Sequence, residues 1–218
     1  MARLKAAVLI SGRGSNLQAL IDACAAPTFP AEIAAVISNE PEARGLRRAR
    51  EANIPVAAID HRAFAGREPF EAALDEAIRA VGAELILLAG FMRVLTAGFV
   101  RAWNNRLVNI HPSLLPVFRG LNTHARAVES GVRFAGCTVH FVRAEMDAGP
   151  IIAQAVVPLR ADDTPERLAD RVLAAEHRIY PLALRLIAEG RVRVVNETVR
   201  IDGAKAPDMV LINPSDDG

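Results

Sequence analysis

Lys5-Ala6-Ala7-Val8-Leu9-Ile10-Ser11-Gly12-Arg13-Gly14-Ser15-Asn16-Leu17-Gln18 is the stretch whose reading decides the fold. An apolar run over Lys5–Ile10 stops at a Ser-Gly-Arg-Gly turn, and a helical pattern begins at once over Asn16–Ala25. The run does not alternate apolar with polar positions. Near-continuous apolarity suits a strand buried on both faces, as in a parallel sheet covered by helices.

Outward from this unit the alternation repeats. Ile33–Ser38, Val56–Ile59, Leu85–Leu88 and Leu107–Ile110 read as strands, and Arg44–Ala52, Pro69–Val81 and Thr96–Ala102 as helices. Cys137–Val142 and Ile151–Val157 read as further strands. Thr164-Pro165-Glu166 opens a long helix, with Thr164 as N-cap and Pro165 at the position where its missing N–H costs nothing. Gly190 ends that pattern, and Val192–Val195 with Thr198–Ile201 form a small hairpin around Asn196-Glu197. The expected fold class is α/β: an open, mostly parallel twisted sheet with helices on both faces and a small C-terminal hairpin. Residues 1–206 are expected to be one domain, and 207–218, rich in Pro, Asp and Gly, a flexible tail.

The chain has 218 residues, 51% hydrophobic, and a formal net charge of +1. That composition supports a packed core and gives no general attraction to nucleic acid or an anionic membrane. An anionic ligand must therefore be held by local geometry. Cys24 and Cys137 lie far apart with no metal-ligand spacing around them, which predicts two thiols in a reducing compartment and no metal site. The N-terminal apolar run is too short for a signal-peptide core or a membrane span, so the chain is expected to be cytoplasmic.

In open parallel sheets ligands bind beyond the carboxyl ends of the strands. The chemistry is therefore expected after Ile10, Leu88 and Ile110. Gly12-Arg13-Gly14-Ser15-Asn16 supplies close backbone approach, free helix N–H groups and side-chain donors, a sensible phosphate cradle, although a tight turn capped by Ser15 explains it too. It is neither a Walker loop nor GxGxxG. Asn109 and His111, two apart at a strand end, project to one face, where an amide donor and an imidazole could meet a developing oxyanion. A strand-end pair satisfied by loop backbone is the plain alternative. Pro112–Gly120 reads as an active-site loop. Asp147, in Asp-Ala-Gly-Pro, reads by itself as a turn residue. His140, between Val139 and Phe141, is expected on an outer or half-buried face and outside the chemistry.

Gly14–Gln18, Ala89-Gly90-Phe91-Met92-Arg93, Asn109–Pro116 with Phe118 and Gly120, Gly136–Pro150 and Ala175–Pro181 together resemble the phosphoribosylglycinamide formyltransferases, folate-dependent enzymes of purine synthesis. The likeness runs in order from about residue 5 to about residue 200, and Asn-x-His-Pro-Ser-Leu-Leu-Pro followed by Asp-x-Gly-Pro is its most specific part. The resemblance implies a Rossmann-like formyltransferase fold, 10-formyltetrahydrofolate as co-substrate and 5'-phosphoribosylglycinamide as acceptor. It implies Asn109, His111 and Asp147 as the catalytic trio, Gly14, Ser15 and Asn16 around the phosphate, and Glu176 on the ribose hydroxyls. Arg67, Met92, Arg93, Val94 and Leu95 would line the folate pocket. Asn109 would reach the folate as well, and Arg143, Ala144, Glu145, Met146 and Asp147 would close over the pterin. Ala144 stands where the family often has an acidic residue, and Val117 and Arg119 occupy variable positions.

The implied chemistry suits those residue types. The acceptor amine attacks the formyl carbon, and Asn109 and protonated His111 stabilise the oxyanion. Asp147 supports the imidazolium by opposite charge and organises a water that relays the proton. Neither a metal nor a covalent intermediate is required. The partners expected are small molecules, not nucleic acid or membrane, and a homodimer stays open. Two other readings compete. A methionyl-tRNA formyltransferase or formyltetrahydrofolate hydrolase shares the core but carries an added domain, and tRNA binding calls for a basic excess. A non-catalytic phosphate-binding module would keep Gly14–Asn16 without needing the trio.

Overall fold

The computed structural model describes residues 2–214. In chain order it runs β1 (Leu4–Ile10), α1 (Ser15–Cys24), β2 (Ala31–Ser38), α2 (Arg44–Glu51), β3 (Val56–Ala58), α3 (Arg67–Ala80), β4 (Leu85–Leu88), α4 (Ala97–Ala102) and β5 (Leu107–His111). It continues with α5 (Thr123–Glu129), β6 (Phe134–Phe141), β7 (Ile151–Pro158), α6 (Pro165–Ala188), β8 (Val192–Val195) and β9 (Thr198–Ile201). Seven strands form one sheet in the order β3-β2-β1-β4-β5-β6-β7. The first five are parallel, and β6 and β7 are antiparallel to their neighbours. β8 and β9 make the separate C-terminal hairpin.

The apolar strand runs have a structural cause. Ala6, Val8 and Ile10 of β1 point to one face and pack with α1 and α6 through Leu17, Leu20, Tyr180 and Leu184. Ala7 and Leu9 point to the other and pack with α3 and α4 through Phe70, Leu74, Phe99 and Trp103. The sheet is thus covered on both sides, as the sequence pattern requires. Thr164 caps α6 by accepting from Arg167 N at 3.3 Å, and Pro165 occupies its first turn. The buried Tyr180 hydroxyl lies 3.0 Å from Leu88 O and 3.2 Å from Val108 O, tying α6 to the ends of β4 and β5.

Three sequence expectations are amended. Ser15 is the first residue of α1, and the N-cap is Gly14, at φ 72°. Thr123–Glu129 is helical, although nothing in the sequence pattern marks it. The third helix begins at Arg67, two residues before the expected Pro69. Residues 207–214 carry no helix or strand, and Asn213 Nδ2 donates to Arg133 O at 2.6 Å and Leu159 O at 2.9 Å. The rest of the expected tail, 215–218, lies outside the described residues.

Candidate active site

β1 has β2 on one side and β4 on the other, so the chain changes direction across the sheet at this point. Such a switch opens a crevice at the strand ends. Here it is a cleft of about 370 Å³ lined by Ser11, Gly12, Arg13, Gly14, Ser15, Asn16, Ala89, Gly90 and Met92. Its floor is the start of α1, whose first N–H groups have no partner within the helix. Gly14 is there for two reasons. Its φ is positive, and a Cβ would come within 2.7 Å of Gly45 Cα at the start of α2. Gly45 is close-packed too, although with less constraint: its Cβ would meet the movable Ile10 Cδ1 at 2.5 Å and Gly12 O and Gly14 Cα at 3.3 Å.

Asn16 and Glu176 sit on this floor, both buried. Asn16 Nδ2 donates to Glu176 Oε2 at 2.7 Å, while Asn16 Oδ1 has no protein partner. The Asn16 carboxamide nitrogen is therefore committed to Glu176 and does not point into the cleft as a free donor. Burial pushes the Glu176 carboxyl up to about 7, against the Asn16 bond, which lowers it.

The trio assembles beside the cleft. Asn109 pairs with Leu88 across β4 and β5, one residue before the cleft-lining Ala89. His111 Nδ1 lies 3.5 Å from Asp147 Oδ2, and its Nε2 lies 3.1 Å from Phe118 O. The ring thus lies between a carboxylate oxygen on its Nδ1 side and a carbonyl oxygen on its Nε2 side. Asp147 has φ 52°, and its Oδ2 also accepts from Gly120 N at 2.9 Å. The Pro112–Gly120 loop and the Asp147 loop are thereby tied together, with the Arg119–Glu145 ion pair at 2.6 Å across their outer edge.

His140 is a correction. It is buried rather than on an outer face, and its Nε2 lies 3.3 Å from Asn109 Nδ2 and 3.9 Å from Asp147 Oδ1. Its Nδ1 lies 3.0 Å from Phe141 O, which can only accept, so Nδ1 carries the proton and Nε2 accepts from Asn109. Burial lowers the His140 pKa and favours this neutral form. His140 thus fixes which way the Asn109 amide points. The alternation around it was misleading because β6 is buried on both faces. Its register opposite Asn109 is a tertiary fact that no local signal carries.

The segments assigned to the folate pocket divide. Met92, Arg93 and Val94 form an exposed strap after β4, and Leu95 packs against the core beneath. Arg67 is exposed at the start of α3. Ala144, Glu145 and Met146 are exposed on the loop before Asp147. Arg143 is not with them: its guanidinium lies 2.6 Å from Glu197 on the C-terminal hairpin and 2.7 Å from Asn105. Its side chain is committed away from the loop tip.

A model of the formyl transferase family matches residues 4–184. The chain is 43% identical over 203 residues to a phosphoribosylglycinamide formyltransferase of Haemophilus influenzae, covering 93% of this chain and 96% of that protein. The chain belongs to the phosphoribosylglycinamide formyltransferase family. A solved glycinamide ribonucleotide transformylase from Symbiobacterium toebii superposes with a TM-score of 0.89 at 50% identity, covering 91% of this chain and 94% of that one. The chain is also 51% identical over 192 residues to a trifunctional purine biosynthetic protein of Gallus gallus, of which it spans only 19%. For a formyltransferase of this family, the mostly parallel sheet with helices on both faces and the small C-terminal hairpin are the expected frame.

Two further features bear on this formyltransferase site. Both cysteines are buried, and burial pushes Cys24 up to about 11 and Cys137 up to about 12, so neither is a poised thiolate. Among the described residues no group of three or more His, Cys, Asp or Glu is placed to hold a metal ion, and no helix is long and apolar enough to cross a membrane.

Proposed function

We propose that the chain transfers the formyl group of 10-formyltetrahydrofolate to the amine of 5'-phosphoribosylglycinamide, with Asn109, His111 and Asp147 as its catalytic residues. The observation that carries this reading is the convergence of the Asn109 amide, the His111 ring and the Asp147 carboxylate at the carboxyl end of β5, beside the cleft at the start of α1. The phosphate of the acceptor lies on the main-chain N–H groups at Gly14, Ser15 and Asn16, and Glu176 accepts from the ribose hydroxyls. The pterin lies along Met92–Leu95, with Arg67 at the mouth and the Ala144–Asp147 backbone over it. Arg143 contributes its main chain at most, since its side chain holds Glu197.

The amine attacks the formyl carbon, and negative charge develops on the formyl oxygen. Asn109, its amide oriented by neutral His140, donates to that oxygen. His111 Nε2 donates to it in place of Phe118 O. Asp147 holds the opposite side of the ring and orders the water that carries the proton from the attacking nitrogen to the folate nitrogen, as the tetrahedral intermediate collapses and the bond between the formyl carbon and that folate nitrogen breaks to release tetrahydrofolate. Single-turnover transfer by Asn109→Ala tests the oxyanion role. The loss of one such donor should lower the rate by roughly 10²–10³ with both dissociation constants close to parental. A near-parental rate in a folded variant would remove Asn109 from the mechanism.

A further inference from the structure

Among the described residues, the strap between β4 and α4 is hydrogen-bonded only near its two ends. At the near end Met92 N donates to Ser11 Oγ at 2.7 Å, and Ser11 N donates to Gly90 O at 3.1 Å. Ser11 Oγ in turn donates to Asn39 Oδ1 at 2.5 Å, so the hydroxyl is fixed from both sides. At the far end Thr96 N donates to Glu71 Oε1 at 2.7 Å, and Thr96 Oγ1 donates to Glu71 Oε2. Among the described residues the main-chain groups of Arg93, Val94 and Leu95 make no hydrogen bond between these anchors.

Glu71 is unusual for its setting. It is buried at 5% exposure, and among the described residues no Lys, Arg or His pairs with it. A carboxylate out of water without a cation is costly unless strong donors satisfy it. Both of its oxygens are spent on Thr96, which also caps α4 by accepting from Phe99 N at 3.2 Å. Glu71 lies one helical turn after Arg67 on α3. One helix therefore carries both the exposed Arg67 and the clamp on the end of the strap.

We infer that Glu71 is a positioning residue for the folate co-substrate: through Thr96 it holds the Arg93–Leu95 main chain in the register that a flat, polar-edged heterocycle needs. The inference rests on the proposed placement of the pterin along Met92–Leu95. Glu71→Ala should raise the KM for 10-formyltetrahydrofolate roughly 10–100-fold, the equivalent of losing bonds to a charged acceptor. The KM for 5'-phosphoribosylglycinamide and kcat at saturation should stay within about threefold, because the phosphate floor and the trio are untouched. Glu71→Gln keeps an oxygen for Thr96 N–H and should recover most of the folate affinity. Hydrogen exchange of the Thr96 amide should speed up in the Ala variant. Where Glu71→Ala does not fold, Thr96→Val against Thr96→Ser reads the same contact, with Ser restoring affinity. An unchanged folate KM, or both KM values rising together with a falling kcat, overturns the inference. Protection of Arg93–Leu95 amides in the parent by a pterin analogue tests the underlying placement separately. With that protection present and folate KM unmoved in the variants, Glu71 is structural only. Without it, the placement itself fails.

Discussion

At the scale of single residues, Asp147 is the position whose local sequence says least and whose surroundings say most. Asp-Ala-Gly-Pro marks a turn, and the positive φ at Asp147 shows that it does turn the chain. The carboxylate nevertheless points inward to His111, with Gly120 N–H on the same oxygen. Asp147→Asn keeps a turn-forming side chain and an oxygen for Gly120, but removes the charge. Single-turnover transfer should fall by roughly 10²–10⁴, the span of a positioned proton-transfer group, while both substrates still bind. A folded variant with near-parental turnover would return Asp147 to a turn residue. Asn109 and His111 were legible because their i, i+2 spacing at a strand end is a local signal. His140, Ser11 and Glu71 were not, because each matters through a contact many residues away: Asn109, Met92 and Thr96 respectively.

The secondary-structure elements show the same division between local and distant causes. β1, β2, β4 and β5 were legible because burial on both faces writes a largely apolar run into the sequence. α6 was legible from its Thr-Pro start. α5 was not: it has seven residues, only Thr123 and Ala127 buried, and an N-cap, Asn122, in left-handed backbone with no side-chain cap bond. The packing of α1 against α2 was equally invisible, and it changes how the phosphate loop must be probed. A side chain at Gly14 meets both an unfavourable φ and Gly45 Cα, so Gly14→Val should destabilise the fold by about 1–3 kcal/mol and report packing. Gly12 lines the cleft, and a Cβ there meets nothing within 4 Å. Gly12→Val should therefore fold near-normally while raising the KM for 5'-phosphoribosylglycinamide, with folate KM little changed. Chemical denaturation and steady-state kinetics on the pair separate the two effects. A normal acceptor KM in folded Gly12→Val would take the phosphate off this loop.

Across the whole molecule, the buried carboxylate of Glu176 links the site to stability. Its folded pKa, about 7, lies above its ordinary value of 4.5, so the folded chain holds a proton that the unfolded chain releases between those values. Stability from this group is therefore greatest below about pH 4.5 and is lost as pH rises to about 7, by roughly 2–4 kcal/mol. His140 runs the other way: its pKa is lowered by burial, so its contribution is full above the ordinary histidine value of 6.5 and is lost as pH falls below it. The two slopes oppose each other, and subtracting the denaturation profile of Glu176→Gln from that of the parent isolates the first. A flat difference between pH 4.5 and 7 would contradict a buried, proton-holding Glu176. The functional account is tested most directly by incubating the chain with 10-formyltetrahydrofolate, with and without 5'-phosphoribosylglycinamide, and following tetrahydrofolate release. Release that depends on the acceptor, with one formylated acceptor per tetrahydrofolate, is the predicted result. Equal release without the acceptor, or none with it, would contradict the account.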